Sequence, residues 1–221
     1  MNETALGLAL ALAAYLVGSI PFGFITGHLI GKIDIRRHGS GNIGATNVGR
    51  VLGNRWGLFV LALDFLKGFL PTAFLPVLFM GAASPGRIHW HVATGIATVL
   101  GHMFPCWLKF RGGKGVATAL GVVAWLAPWP TLAAASVFAV TFAIWRIVSL
   151  SSILASLSFA ACQLSMAGRQ LFSPENWSLS AFSLLVPALI LLRHRANIVR
   201  IWRGEEPRYR SGGSSSESGS A

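Results

Sequence analysis

Long apolar segments separated by short polar ones set the pattern of this chain. Several of them approach or exceed the roughly 20 apolar residues that a helix needs to cross a bilayer. The segments lie at 3–31, 56–82, 91–104, 116–127, from the prolines at 128 and 130 to about 145, 147–167 and 177–192. The pattern predicts an all-α, polytopic integral membrane protein with seven transmembrane helices. The two short segments, 91–104 and 116–127, are either tight crossings lengthened by their flanks or a re-entrant pair.

Composition agrees with a membrane location. The chain has 221 residues, of which 53% are hydrophobic and 11% charged, and a mean hydropathy of +0.61. The net charge of +11 does not indicate nucleic acid, because the basic residues lie between apolar segments rather than along one soluble face. The first apolar segment is too long for a signal peptide and lacks a basic start. Cys106 and Cys162 offer no disulfide framework, and nothing in the sequence indicates a metal or another cofactor.

The basic residues also predict the orientation of the helices. Fifteen of the 18 lysines and arginines fall in the odd-numbered loops and the C-terminal region, and only Arg87 and Arg169 fall in even-numbered ones. By the positive-inside rule, the N-terminus lies outside and the C-terminus in the cytoplasm. If the two short segments were a re-entrant pair rather than two crossings, every other loop would stay on the same side of the membrane. We expect a membrane domain at 1–203 and a disordered, Ser/Gly-rich polar tail at 204–221.

The polar stretch 34–55, DIRRHGSGNIGATNVGRVLGNR, separates the first two predicted helices. Its glycines leave backbone N–H groups uncovered, and consecutive N–H groups form anion-binding concavities. Ser40, Asn42, Thr46 and Asn47 add neutral hydrogen-bonding groups, while Arg50 adds a charge suited to phosphate. The alternative is a solvated basic loop that only fixes topology. That alternative explains the arginines but not the interleaved polar residues, so we interpret the stretch as a phosphate-binding loop.

A second polar cluster at 105–115 lies on the same side of the predicted topology. It ends in Gly112, Gly113, Lys114 and Gly115, immediately before a predicted helix. The N–H groups and dipole of a helix N-terminus also favour phosphate. The cluster is not a nucleotide-binding P-loop, because Leu108 stands where that motif requires glycine.

The third polar cluster, RHRANIVR at 193–200, continues the last predicted helix and places His194 and Asn197 on one face. All three clusters face the cytoplasm in the predicted topology and can converge on one site.

Asp64 and Lys67 lie three residues apart within the second predicted helix, so they can face each other. For this pair, a structural role beneath the site is favoured over catalysis.

The chain resembles the bacterial acyl-phosphate:glycerol-3-phosphate acyltransferases. The resemblance is carried by GSIPFG at 18–23, GSGNIGATN at 39–47, GHMFP with KFRGGKGVAT at 101–118, and HRANI at 194–198. It implies a seven-helix enzyme that acylates the 1-hydroxyl of glycerol 3-phosphate with an acyl phosphate, giving lysophosphatidic acid and inorganic phosphate. It also implies a multi-pass protein of the bacterial cytoplasmic (inner) membrane, surrounded by membrane lipids, which we expect to be a monomer without nucleic-acid partners.

The resemblance also assigns individual residues by motif position. Those assigned to catalysis are Ser40, Lys114, His194 and Asn197, and those assigned to substrate binding are Asn42, Thr46, Asn47, Arg50, Gly112, Gly113, Gly115 and Ser149. Ala196 is a departure, since many relatives have glutamate there.

The residue types present fit the chemistry of an acyl phosphate. Phosphate is a good leaving group, so such an enzyme needs to bind two phosphates, orient a hydroxyl and stabilise an oxyanion. No Ser-His-Asp set is visible, and we expect direct transfer in which the phosphate of glycerol 3-phosphate accepts the proton. His194 is either a general base or an orienting donor. Cys106 could carry a thioester, although a packed small residue is favoured.

Two other classes of function compete with this interpretation. A transporter for an organic phosphate would need a polar path across the membrane, whereas the polar residues here concentrate on one side. A purely structural or lipid-binding membrane protein would not need Asn42, Asn47 and Asn197 gathered with Lys114.

Overall fold

The computed structural model describes residues 2–80 and 86–209, and every regular element within these ranges is helical. The helices are α1 (Glu3–Gly18), α2 (Phe22–Gly31), α3 (Ala45–Leu52), α4 (Asn54–Met80), α5 (Arg87–Met103), α6 (Val116–Leu126), α7 (Pro128–Trp145), α8 (Val148–Ala167), α9 (Trp177–Arg193) and α10 (Arg195–Trp202). Single 3-10 turns occupy Ile35–Arg37, Cys106–Leu108 and Gly168–Gln170. The predicted all-α class is confirmed.

The membrane character is confirmed, but the number of spans is not. Four helical stretches are long and apolar enough to cross a bilayer: Glu3–Gly31, Asn54–Phe79, Pro128–Trp145 and Val148–Gln170. Helices α9 and α10, bent by 62° at their junction, would together make a fifth. Large apolar side chains cover the outer surface and are more than 60% exposed at Leu8, Leu78 and Trp129, as expected of a surface in lipid. Helices α5 and α6 are too short to count by length alone, so length and composition identify four or five candidate spans and leave the predicted seven a prediction.

Prolines account for two of the helix boundaries. The first predicted helix is interrupted at residues 19–21, because Pro21 has no N–H group to continue the helical ladder. Pro128 begins α7, where a missing N–H group costs nothing. The predicted end of the second helix at 82 lies outside the described residues.

Tight helix pairs hold the bundle together. Helix α4 packs on α6, α1 on α5, and α7 on α8. At Gly68 and Gly121 a side chain would strike the backbone of the facing helix, so glycine permits the close approach of α4 and α6. Helices α5, α6 and α9 share an apolar core that includes the fully buried Val99 and Phe182. This packing brings the end of α5, the start of α6 and the end of α9 together at one edge of the bundle.

The polar end of the molecule contains two helices that the apolar pattern did not outline. Helix α3 lies inside the stretch 34–55, which the sequence analysis treated as a loop. Helix α10 was expected to continue α9 but turns away from it at His194. A small apolar cluster that includes Ile35, Ile43 and Val48 fixes the first polar stretch against α4.

Candidate active site

The loop before α3 is built around one buried side chain. Asn47 is only 1% exposed. Its Oδ1 accepts from the N–H group of Ser40 at 2.8 Å, and its Nδ2 donates to the carbonyls of Ile35 (3.3 Å), His38 (3.0 Å) and Asn42 (2.9 Å). A single amide therefore satisfies four backbone groups of a loop whose regular structure is limited to the 3-10 turn Ile35–Arg37. This geometry favours an organising role for Asn47 over the predicted contact with substrate.

The other polar residues of this loop remain available on its surface. Gly39 and Gly41 have positive φ, which turns the chain so that Ser40 is exposed. The Oδ1 atom of Asn42 accepts from the N–H group of Gly44 at 2.8 Å and closes a local turn. Thr46 lies half-buried on the first turn of α3. Within the described part of the chain, the hydrogen bonds of Ser40 and Asn42 go to Gly44 in the same loop and to Asn47 on α3.

The glycines before α6 are required for close packing. The N–H groups of Gly112 and Gly113 donate to the carbonyls of Met103 and His102, both at 3.1 Å, so neither is free to bind phosphate. A side chain at Gly113 would overlap the imidazole of His102. Gly115, with φ of +82°, caps the start of α6, where the first helical N–H groups lack intrahelical acceptors. The anion-binding N–H groups predicted for this motif are thus confined to its helix end.

Arg193, the last residue of α9, clamps this glycine segment from the other side. Its Nε donates to the carbonyl of Gly113 at 3.1 Å and a terminal nitrogen donates to Gly112 at 2.7 Å. The guanidinium also lies 5.5 Å from the ring centroid of Phe104, within the range of a cation–π contact. These contacts give Arg193 a direct role in holding the segment.

Lys114 joins the second and third polar clusters. Its Nζ donates to the Oδ1 of Asn197 on α10 at 2.6 Å. Burial lowers the pKa of Lys114 to about 8, although the nearby carboxylate of Glu206 opposes that shift. Lys114 and Asn197, two residues predicted for one site, are therefore brought together by the structure.

Glu206 is a central residue that the sequence analysis missed. It is 8% exposed, and its Oε1 accepts from Ser149 Oγ at 2.7 Å and Asn197 Nδ2 at 2.6 Å. Its Oε2 accepts from Arg200 Nε at 2.7 Å. Burial by itself raises the pKa of Glu206, but these three hydrogen bonds outweigh it and leave the pKa below its usual value. Glu206 is thus an ionised carboxylate that links Ser149, Asn197 and Arg200.

The segment 204–209, which we call the C-terminal strap, corrects the predicted tail boundary. The carbonyl of Pro207 accepts from Arg50 at 3.3 Å, which connects the strap to α3. Tyr209 donates its hydroxyl to Asn54 at 2.7 Å and its N–H group to the carbonyl of Arg146 at 2.6 Å. The polar composition of 204–209 predicted disorder, yet these residues bind back across the site. The rest of the predicted tail, from 210 onward, lies outside the described residues.

His194 lies at the junction of α9 and α10 and is 2% exposed. Its Nδ1 is 2.8 Å from the carbonyl of Ile190, and because a carbonyl can only accept, Nδ1 carries the proton. In the neutral ring Nε2 is consequently the acceptor. The contact fixes the ring and its tautomer, and in the neutral ring it leaves Nε2 able to accept from a hydroxyl, as a general base requires, rather than to donate as the predicted orienting donor would.

A basic cleft of about 550 Å³ opens beside the glycine segment. It is lined by Asp34, Arg36, Arg37, Gly41, Ile43, Phe110, Arg111, Gly112 and Arg193. Asp34 is paired with Arg36 at 2.7 Å, and that hydrogen-bonded pair lowers the pKa of Asp34 to about 2. The remaining arginines leave the cleft positively charged. Among the described residues, no three His, Cys, Asp or Glu side chains gather in a way that would hold a metal ion.

Comparison with known proteins gives a consistent family assignment. The family model described as glycerol-3-phosphate acyltransferase matches residues 8–204. Proteins named glycerol-3-phosphate acyltransferase from Anaeromyxobacter dehalogenans (strain 2CP-C) and Staphylococcus aureus (strain Newman) are 44% and 40% identical to this chain. The alignments cover 93% and 92% of this chain, respectively, and 98% of each relative.

Solved structures agree with the sequence comparisons. The chain is similar to the glycerol 3-phosphate form of PlsY (YgiH), an integral membrane glycerol 3-phosphate acyltransferase, with a TM-score of 0.81 and 43% identity over 92% of this chain and 96% of that one. The lysophosphatidic acid form of PlsY gives a TM-score of 0.78 and 42% identity over 92% and 95% of the two chains. The protein therefore belongs to the glycerol-3-phosphate acyltransferase family, as its sequence motifs predicted.

Proposed function

We propose that this protein transfers an acyl chain from an acyl phosphate to the 1-hydroxyl of glycerol 3-phosphate. The products are lysophosphatidic acid and inorganic phosphate. Family membership over nearly the whole chain supports the acylation of glycerol 3-phosphate. The basic groups available for two phosphates support an acyl phosphate as the donor.

The observation that carries the proposal is the cluster around Lys114. Lys114, Asn197 and Ser149 meet around the carboxylate of Glu206, and Arg50 is attached to the same strap through Pro207. A partly buried ammonium next to a guanidinium is suited to a phosphate dianion, because charge-assisted hydrogen bonds strengthen as water is excluded. We assign the phosphate of glycerol 3-phosphate to this cluster. The adjacent basic cleft offers a second place for a phosphate group.

The transfer needs no protein nucleophile. The 1-hydroxyl oxygen attacks the acyl carbonyl carbon, and the bond from that carbon to the phosphate oxygen breaks with both electrons leaving on inorganic phosphate. The hydroxyl proton passes to the phosphate of glycerol 3-phosphate, which the basic groups hold nearby. Ser40, Asn42 and the N–H groups at the start of α6 would polarise the carbonyl, and His194 would orient the acceptor.

We further propose that α1 with α2 and α4 to α9 form seven crossings, with the N-terminus outside and the polar end in the cytoplasm. Fifteen of the 18 basic residues then lie on the cytoplasmic side. The short helices α5 and α6 would complete their crossings with the connections at their ends. We place the protein in the bacterial cytoplasmic (inner) membrane as a monomer.

An acyl-transfer assay with purified protein tests the reaction. Acyl phosphate and glycerol 3-phosphate together should release phosphate and form lysophosphatidic acid, and acyl phosphate alone should release none. Acyl-CoA should not replace the donor, and the Cys106→Ser variant should retain full activity. A phosphate burst without acceptor, together with acylated protein in mass spectrometry, would instead establish a covalent route. Uptake of glycerol 3-phosphate into proteoliposomes without acylation would favour a transporter.

Cysteine labelling tests the topology. In a background lacking Cys106 and Cys162, single cysteines replace the exposed residues Arg111 and Glu175. An impermeant thiol reagent should reach position 111 only from the cytoplasm and position 175 only from outside. Labelling of both positions from one side would contradict the proposed crossings between them.

A further inference from the structure

A buried polar cluster lies beneath the glycine segment and has no part in the transfer chemistry described above. Asp64 and Lys67 on α4 are 2% and 4% exposed, and His102 near the end of α5 is 4% exposed. Burying an ion pair among apolar helices carries a large desolvation cost, and replacing such a pair with well-packed apolar residues is often neutral or stabilising. Ionisable side chains at membrane depth therefore call for a functional explanation.

Asp64 and Lys67 form a fixed ion pair in the part of this cluster that contacts the first helix. The Nζ of Lys67 is 2.7 Å from the Oδ1 of Asp64 and donates to the carbonyl of Ile20 at 2.9 Å. Ile20 lies in the break between α1 and α2, and the ring of Phe22 covers the ammonium at 5.4 Å. Lys67 thus ties the broken first helix to α4. The predicted ion pair is confirmed, and its ammonium is fully occupied by these contacts.

His102 connects this ion pair to the glycine segment. The Asp64 carboxylate lies 3.6 Å from the Nδ1 of His102, so one edge of the imidazole faces a negative charge. At that distance the contact is electrostatic rather than a hydrogen bond. The opposite edge, with Nε2, lies against Gly113 so closely that a side chain at that glycine would overlap it. The ring is held between the carboxylate and the backbone of the segment.

The glycine segment in turn fixes the position of Lys114. Its backbone is bound to the end of α5 through the carbonyls of His102 and Met103, and Arg193 holds it from the opposite side. Lys114 follows Gly113 directly and reaches Asn197 with its Nζ. A shift of the His102 ring would therefore move the backbone from which the Lys114 side chain extends.

We propose that His102, oriented by the carboxylate of Asp64, is a positioning residue for substrate phosphate. Its ring fixes the position of the Gly113 backbone and so places the ammonium of Lys114. The proposal rests on the proposed function, since it assumes that Lys114 contacts the phosphate of glycerol 3-phosphate. A positioning role and a purely structural role have different consequences for the kinetics. A cluster that only joined α1, α4 and α5 would affect unfolding and leave the KM for glycerol 3-phosphate unchanged.

A double-mutant cycle between His102 and Gly113 tests this coupling. Gly113 does not have a positive φ, so an alanine is opposed there by the imidazole and not by the backbone conformation. Gly113→Ala should raise the KM for glycerol 3-phosphate about tenfold or more, and His102→Ala should raise it several-fold. In His102→Ala/Gly113→Ala the ring is gone and the methyl group has room. The KM of the double variant should therefore lie within about twofold of that of His102→Ala, whereas a KM equal to the product of the two single effects would overturn the proposal.

His91→Ala is the matched control. His91 is a second buried histidine of α5, 6% exposed, and its Nδ1 contacts the carbonyl of Thr72 at 2.6 Å, away from the glycine segment. This variant should lose thermal stability with its KM unchanged. If it raised the KM as much as His102→Ala does, the effect would belong to α5 in general and the proposal would fail.

A charge-balanced variant tests the contribution of Asp64. Asp64→Asn alone would leave Lys67 buried without a counter-charge, so the change is paired with Lys67→Met. The double variant should raise the KM with kcat within about twofold of wild type, because the imidazole loses its orienting charge. A folded variant with a wild-type KM would remove Asp64 from the proposal, and a variant that does not fold leaves the His102–Gly113 cycle to decide. Wild-type protein that does not acylate glycerol 3-phosphate would instead refute the proposed function.

Discussion

The first polar loop and the Lys114 cluster lie at the same end of the molecule but are built in opposite ways. The loop is local: the contacts of Asn47 reach partners between 5 and 12 residues away. The Lys114 cluster is assembled from distant segments, with Lys114 and Asn197 separated by 83 residues and Ser149 and Glu206 by 57. The loop depends on neutral amide and backbone groups, whereas the cluster depends on opposing charges.

This difference implies different sensitivities to substitution. The polar contacts of the loop converge on one buried amide, so loss of that amide should open the loop and lower stability. In a cluster made of several long-range contacts, each substitution should reduce catalysis while the apolar helices keep the fold.

The largest effect is expected for Lys114→Ala. Removing the ammonium that opposes the substrate phosphate should lower kcat/KM roughly 100- to 1,000-fold, the range seen when a preorganised charge-stabilising donor is deleted. Lys109→Ala, an exposed lysine in the same connection, is the control and should be close to wild type. Steady-state kinetics with varied glycerol 3-phosphate measures both. Near-normal activity in Lys114→Ala would remove the second polar cluster from the site.

Asn47→Ala tests the local construction of the first loop. Four backbone groups would lose their partner in a buried position, which should cost about 2–3 kcal/mol of stability. Asn42→Ala removes only one local hydrogen bond and should cost about 0.5–1.5 kcal/mol. Thermal unfolding in detergent measures the difference, and trypsin cleavage at Arg36 and Arg37 reports whether the loop opens. Equal stability of the two variants would show that the buried amide does not hold the loop.

Glu206→Gln should lower kcat/KM about 10- to 50-fold with little loss of stability. The amide cannot accept at both oxygen positions, so Arg200 or the Ser149–Asn197 pair loses its partner. Glu205→Gln changes an exposed neighbour and should behave as wild type. If the two variants were equally active, the C-terminal strap would contribute nothing to catalysis.

The smallest effect concerns pH. The pKa of Lys114 is lowered to about 8 by burial, so the ammonium is charged below that pH and neutral above it. We expect kcat/KM for glycerol 3-phosphate to fall about tenfold between pH 8 and pH 9.5, whereas a lysine at its usual pKa would keep activity in that range. An active Lys114→Arg variant should remove this decline, because arginine does not titrate there. A wild-type profile that stays flat to pH 9.5 would contradict the assignment.

Periodicity and motif spacing predicted the positions of most helices but few of the contacts between them. The apolar segments predicted the helices within a few residues, because exclusion of apolar side chains from water acts locally along a segment. Helix α3 was not recognised, because it is short and its sequence contains Gly49 and several polar residues. The number of spans also could not be read from segments near the length limit, such as α5 and α6.

Glu206 shows why composition misled at the C-terminus. The segment GEEPRYR is as polar as the tail that follows it, and polar composition favours disorder when a segment has no partner. Its partners come from α3, α8 and α10, which no local pattern connects with it. A useful signal was present in Pro207 and Tyr209, which interrupt the Ser/Gly-rich composition and supply two of the strap's contacts.

The sequence by itself determined the membrane environment, the helical class, the family and the residue types available for binding phosphate. Each of these follows from local hydrophobicity or from motifs within a short stretch of chain. Only the tertiary structure decided which glycines pack and which expose N–H groups. It also decided that Glu206 joins Ser149 to Asn197. Those outcomes depend on helices that meet through close packing, and the partners in such contacts are separated by tens of residues along the chain.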